Sequence, residues 1–63
     1  MSHYVLKVYD RKTNKTIARH GYRTFGEADI MARFHTSAST RDAGPIYGYL
    51  GRQYDAYVWR ETR

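Results

Sequence analysis

The sequence predicts a small α+β fold in the order β-β-α-β-β, with one helix packed on one face of a small antiparallel or mixed sheet. Three observations predict it. "HYVLKVYD" and "IYGYLGRQYDAYVWRE" alternate apolar and polar residues with the period of a strand. "TFGEADIMARFH" places apolar residues at helical spacing behind a capping signal. Asn14, Gly51 and the Gly44-Pro45 pair punctuate the chain where turns and connections are needed.

The elements follow in order. In the first strand Tyr4, Leu6 and Val8 share one face, and Val5, Lys7 and Tyr9 the other. "RKTNK" is polar and basic, and Asn14 suits a left-handed turn position. "TIARHGYR" resumes an extended pattern with β-branched and aromatic residues, and Gly21 marks a candidate bulge. These segments read as a β-hairpin with its loop at residues 11–15.

The helix begins at Thr24-Phe25-Gly26-Glu27, a T-x-x-E capping box. The Thr24 hydroxyl is expected to accept from the Glu27 N–H, and the Glu27 carboxylate to reach back to the Thr24 N–H. At about 100° per residue, Ala28, Ile30, Met31, Ala32, Phe34, His35 and Ala38 spread over one broad apolar face. The helix is expected to fray through "STRDAGP", and Gly44-Pro45 excludes helix beyond it. In the second hairpin Ile46, Gly48 and Leu50 share a face and Tyr47 and Tyr49 the other. Gly51-Arg52-Gln53 forms the turn, after which Ala56 and Val58 alternate with Tyr57 and Trp59.

The 63 residues are read as one domain, residues 1–63, with a thin core. A chain of this size buries only about 60% of the surface it exposes when unfolded. There is no cysteine, which removes disulfides and thiolate metal sites and fits a reducing cytoplasm. "MSHYVLKVYD" predicts no secretory signal. No apolar run approaches the ~18 residues of a membrane span, so no membrane partner is expected.

Net charge is +5, and its placement matters more than its size. Residues 1–23 hold six cations (Lys7, Arg11, Lys12, Lys15, Arg19, Arg23) against one acid, Asp10. From residue 24 onward five cations meet five acids. The whole excess therefore lies in the first third of the chain, an asymmetry that points to a polyanionic partner.

One helix covers one face of a sheet and leaves the other open. The aliphatics Leu6, Val8, Ile17, Ile46, Leu50 and Val58 suit the face under Met31 and Phe34. That choice leaves Tyr9, Tyr47, Tyr49, Tyr57 and Trp59 on the open face beside Lys7. Bases stack on aromatic rings while Lys and Arg neutralise the backbone, so these rings with Lys7, Arg19, Arg23 and Arg52 read as a candidate nucleic-acid surface. Tyr and Trp are equally favoured in protein interfaces.

No catalytic constellation accompanies that surface. His3, His20 and His35 lack metal-ligand spacing, and no H-E-x-x-H is present. Ser37, Ser39 and Thr40 lack a nucleophile motif and read as capping and solvated groups. The acids form no pair suited to acid–base work. "GYLGRQ" lacks the Lys and following helix of a phosphate loop. No enzyme activity, cofactor or metal is expected.

The stretch "TFGEADIMARFH" is similar to the T-x-x-E-A…A helix start of small bacteriophage-encoded accessory proteins and antitoxin-like domains. A short, cysteine-free chain also looks like a phage early protein. The resemblance implies a partner in the host cytoplasm and carries no site residue with it. Inhibitors that mimic DNA are acidic, and this chain is basic.

Two function classes follow. The first binds nucleic acid, or machinery on nucleic acid, through Arg11, Lys12 and Lys15 of the basic hairpin and the aromatic face. The second is a modulator that buries the aromatic face against a host protein, or a homodimer that uses the same face.

Overall fold

The computed structural model describes residues 2–38, 44 and 46–62. Strands β1 (Ser2–Asp10) and β2 (Thr16–Tyr22) precede helix α1 (Phe25–Thr36), and β3 (Ile46–Leu50) and β4 (Tyr54–Thr62) follow it. The four strands form one antiparallel sheet in the order β2-β1-β4-β3. Each hairpin pairs its own strands, and the long β1–β4 ladder joins the two hairpins down the middle. The predicted element order and fold class are those observed. Ser39, Thr40 and Pro45, part of the expected fraying and stop, lie outside the described residues.

The helix lies chiefly over the central strands β4 and β1. It buries Ala28, Ala32 and Thr36 in an i, i+4 stripe whose small side chains allow close approach to the sheet. Beneath it, Leu6, Val8, Ala56 and Val58 form the core with those alanines and Tyr49. Around them pack Tyr4, Ala18, Tyr22, Phe25, Met31, Tyr47 and Tyr54.

Local chemistry sets the ends. The Glu27 N–H donates to Thr24 Oγ1 at 3.3 Å, as expected of the cap. The Glu27 carboxylate accepts from the Thr24 hydroxyl at 3.0 Å. At the other end Ser37 takes the left-handed conformation, φ 60°, and its N–H closes on the Arg33 carbonyl at 2.7 Å. In the first turn Asn14 is left-handed, as its type predicts, and Asp10 Oδ1 accepts from the Lys12 N–H at 2.8 Å. The bulge falls between Val8 and Tyr9, opposite Ile17, and not at Gly21.

The sequence assigned the wrong face of β3 to the core. Tyr47 and Tyr49 lie under the helix, and Ile46 and Leu50 are 55% and 58% exposed on the opposite face. The reason is a single turn residue. With Gly51-Arg52-Gln53 as a three-residue loop, Leu50 would oppose Tyr54 and share the core face with it. Instead the Gly51 N–H donates to the Tyr54 carbonyl at 3.1 Å, so the loop shrinks to Arg52-Gln53 and Leu50 opposes Asp55. A one-residue change of register moves every side chain of a strand to the other face.

Ile17, also placed in the core, is exposed at the bulge. Phe34 and Ile30 are 74% and 66% exposed on the helix side opposite the buried stripe. The rings of Tyr4, Phe25, Tyr47 and Tyr49 occupy the space the sequence had assigned to Phe34.

Candidate nucleic-acid interface

The face away from the helix is built by alternation. Val5, Lys7 and Tyr9 come from β1, Arg19 and Gly21 from β2, Asp55, Tyr57 and Trp59 from β4, and Ile46, Gly48 and Leu50 from β3. Direct cross-strand pairs tie them together: Lys7 with Arg19 and Tyr57, Val5 with Trp59, and Trp59 with Ile46. Val5 sits at the centre and is only 2% exposed, so its neighbours close over it. The face is a packed surface with a small apolar centre.

Three of the five rings expected here are present. Tyr9 and Tyr57 meet edge-on with centroids 5.7 Å apart, and the Lys7 ammonium lies 5.4 Å from the Tyr9 centroid. Trp59 is half-buried and Tyr57 more exposed. Such a cation over a ring contributes on the order of 0.5–1 kcal/mol at an exposed site.

Tyr47 and Tyr49 do not belong to this surface. The Tyr47 ring stands 4.6 Å from Phe25. Tyr49 is fully buried, and its hydroxyl donates to Asp29 Oδ1 at 2.6 Å. The same carboxylate holds Arg33, whose Nε lies 3.1 Å from Oδ2. A buried Tyr needs a partner for its hydroxyl, and the helix supplies one four residues before a compensating cation.

The predicted cations divide into three groups. Lys7 and Arg19 stand on the open face, with Arg19 Nη2 3.8 Å from Glu61 Oε2. Arg11, Lys12, Lys15 and Arg52 gather at one end of the sheet, where the two hairpin turns meet. Arg11 ties those turns together: its N–H donates to the Gln53 carbonyl at 3.1 Å and its guanidinium to the Gly51 carbonyl, with Nε 3.5 Å from Asp55. Lys12 and Arg52 line a shallow groove between the turns with Asp10, Arg11 and Gln53. Arg23 follows the far end of β2 and is not brought to this group.

Gly51 fixes how close the turn comes to the helix. A Cβ there would stand 2.6 Å from the Tyr54 carbonyl oxygen and would also run into the Thr36 backbone, so only glycine fits. Sequence reasoning missed Ile46, Gly48 and Leu50 as members of the open face. The signal that identifies them is the turn: counted from a two-residue loop, Ala56 and Val58 in the core put Tyr49 and Tyr47 beside them.

Among the described residues no three His, Cys, Asp or Glu side chains converge on a point that could hold a metal ion. No helix there is long and apolar enough to cross a membrane. Compared with family models, curated proteins and solved structures, the chain matches none.

Proposed function

We propose that this chain is a non-catalytic binding protein that holds a polyanion, a nucleic acid, on the open face of its sheet and the basic turns beside it. One observation carries the reading. The strand order β2-β1-β4-β3 sets a hairpin of net charge +4 side by side with the hairpin that owns Tyr57 and Trp59. Cations and rings on one surface are what a nucleic acid requires, since phosphates seek the first and bases the second. A cytoplasmic setting suits a chain without cysteine.

The test is fluorescence polarisation against labelled single- and double-stranded DNA and RNA at two salt concentrations. Binding should weaken with salt. Replacing Lys12, Lys15 and Arg52 together by Gln should lower the slope of log K against log[salt] by roughly 0.7 to 0.9 for every phosphate that the variant no longer neutralises. These three side chains are exposed, so the folded state should survive the change. A parent that shows no salt-dependent binding to any of the four ligands sinks the reading.

A second reading, a protein partner on the same face, is favoured by Ile46 and Leu50, whose exposed aliphatic side chains flank the rings. The partner would be a host protein or a second copy. Binding that ignores salt and disappears on Leu50→Ser would favour it.

A further inference from the structure

The proposed surface is divided lengthwise. On the open face the β1–β2 half presents Lys7 opposite Arg19, with the Tyr9 ring beside Lys7, and the β4–β3 half presents Tyr57 and Trp59 with Ile46, Leu50 and the acid Asp55 at one end. The seam between them is the β1–β4 ladder of nine residue pairs, from Ser2↔Thr62 to Asp10↔Tyr54. At about 3.3 Å per residue that seam runs close to 30 Å. Across it, Lys7 is the direct neighbour of Tyr57. Beside Tyr57 on β3 stands Gly48, which has no side chain to set against the ring.

Resting on the nucleic-acid reading above, we infer that the partner is a single strand. It lies along the β1–β4 seam with its phosphates over Lys7 and Arg19 and its bases over Tyr57 and Trp59. A duplex turns its phosphates outward and stacks its bases on one another, so it can meet only the cationic half. A single strand has phosphates along one side and free ring faces along the other. That polarity matches the two halves of this sheet. The charge complementarity is also lateral: the hairpin under the phosphates carries a net +4, and the hairpin under the bases is balanced.

The experiment uses the intact chain and three ligands of one length, roughly 12 nucleotides, inside the ~4–16 that single-strand grooves take. They are a single strand, its duplex, and a strand with abasic sugars throughout. Trp59 is the only tryptophan, so its fluorescence reports the β4 half without a label. The single strand should bind tightest and quench Trp59, and the abasic strand should bind more weakly without quenching. Tyr57→Leu should weaken single-strand binding about 5- to 150-fold, the equivalent of ~1–3 kcal/mol per stacked base. It should leave abasic binding unchanged, and Tyr57→Phe should retain single-strand affinity. Lys7→Gln should lower the salt slope by about 0.7 for both strands.

Equal affinity for all three ligands with no quenching overturns the single-strand inference and leaves the polyanion reading standing. Failure to bind any of them removes both. The ligand comparison uses the unaltered protein, so it decides even where Tyr57→Leu does not fold.

Discussion

Tyr49 is the residue on which the helix–sheet contact turns. It comes from an edge strand, yet its ring lies in the core beneath the helix and its hydroxyl reaches the helix itself. Its hydroxyl then needs a buried partner, and Asp29 provides it at 2.6 Å. Tyr49→Phe keeps the ring and loses the bond to a charged acceptor. It should destabilise by about 1–2 kcal/mol, since Asp29 keeps its bond to Arg33. Chemical denaturation measures it; a change near zero would mean that the hydroxyl contributes nothing to holding the helix. Gly51 tests the same junction from the backbone side. Gly51→Ala drives a methyl group against the Thr36 and Tyr54 backbone and should cost about 1–3 kcal/mol or prevent folding. Thr24→Ala removes the helix cap and should cost about 1 kcal/mol.

At the scale of elements, the helix packs by its smallest side chains. Ala28 and Ala32 face the sheet because the rings of Tyr4, Phe25, Tyr47 and Tyr49 already fill the space there. The bulky Ile30 and Phe34 point to solvent. Ile30→Ser with Phe34→Ser should therefore change stability by no more than about 0.5 kcal/mol per site. Ala32→Leu should cost about 1–3 kcal/mol by overpacking. Thermal melts of the two variants reverse this order if the helix is rotated. The existence, type and order of every element were legible in the sequence, because period-two alternation, a capping box and turn residues are local signals. The face of β3 was not. It depends on whether one residue, Gly51, joins the ladder or the loop, and the aliphatic-inside rule pointed the wrong way. For the same reason the candidate surface was only partly legible. Tyr9, Tyr57, Trp59 and Lys7 stand on the face that alternation assigned them, whereas Arg19 reaches it only through the bulge at Ile17 and Tyr47 and Tyr49 were assigned to a surface they do not reach. The breadth of the helix face failed differently: seven apolar positions span more than half a turn, and only packing against the sheet selects the sector that is buried.

At the scale of the molecule, charge and topology act together. The strand order places a hairpin of net +4 along one side of the sheet, where its cations repel one another. The opposing ion pairs, Arg11 with Asp55 and Arg19 with Glu61, involve half-exposed side chains and add little. Raising the salt from about 0.01 to 0.1 M shortens the screening length from about 30 to 10 Å. In the free protein this relieves more repulsion than attraction, so Tm should rise slightly. A bound nucleic acid reverses the sign. At a hundredfold excess over Kd it stabilises the folded chain by about 2.7 kcal/mol, which for a domain of this size raises Tm by about 10–20 °C at ~4–8 °C per kcal/mol. Salt weakens that binding by displacing the protein's cations from the phosphates, so the Tm of the complex should fall over the same interval. The measurement is a pair of melting curves at each salt concentration, with and without a single-stranded oligonucleotide. Opposite salt slopes, converging as the salt rises, are the expected result. Parallel slopes would mean that the oligonucleotide is not held by this basic hairpin.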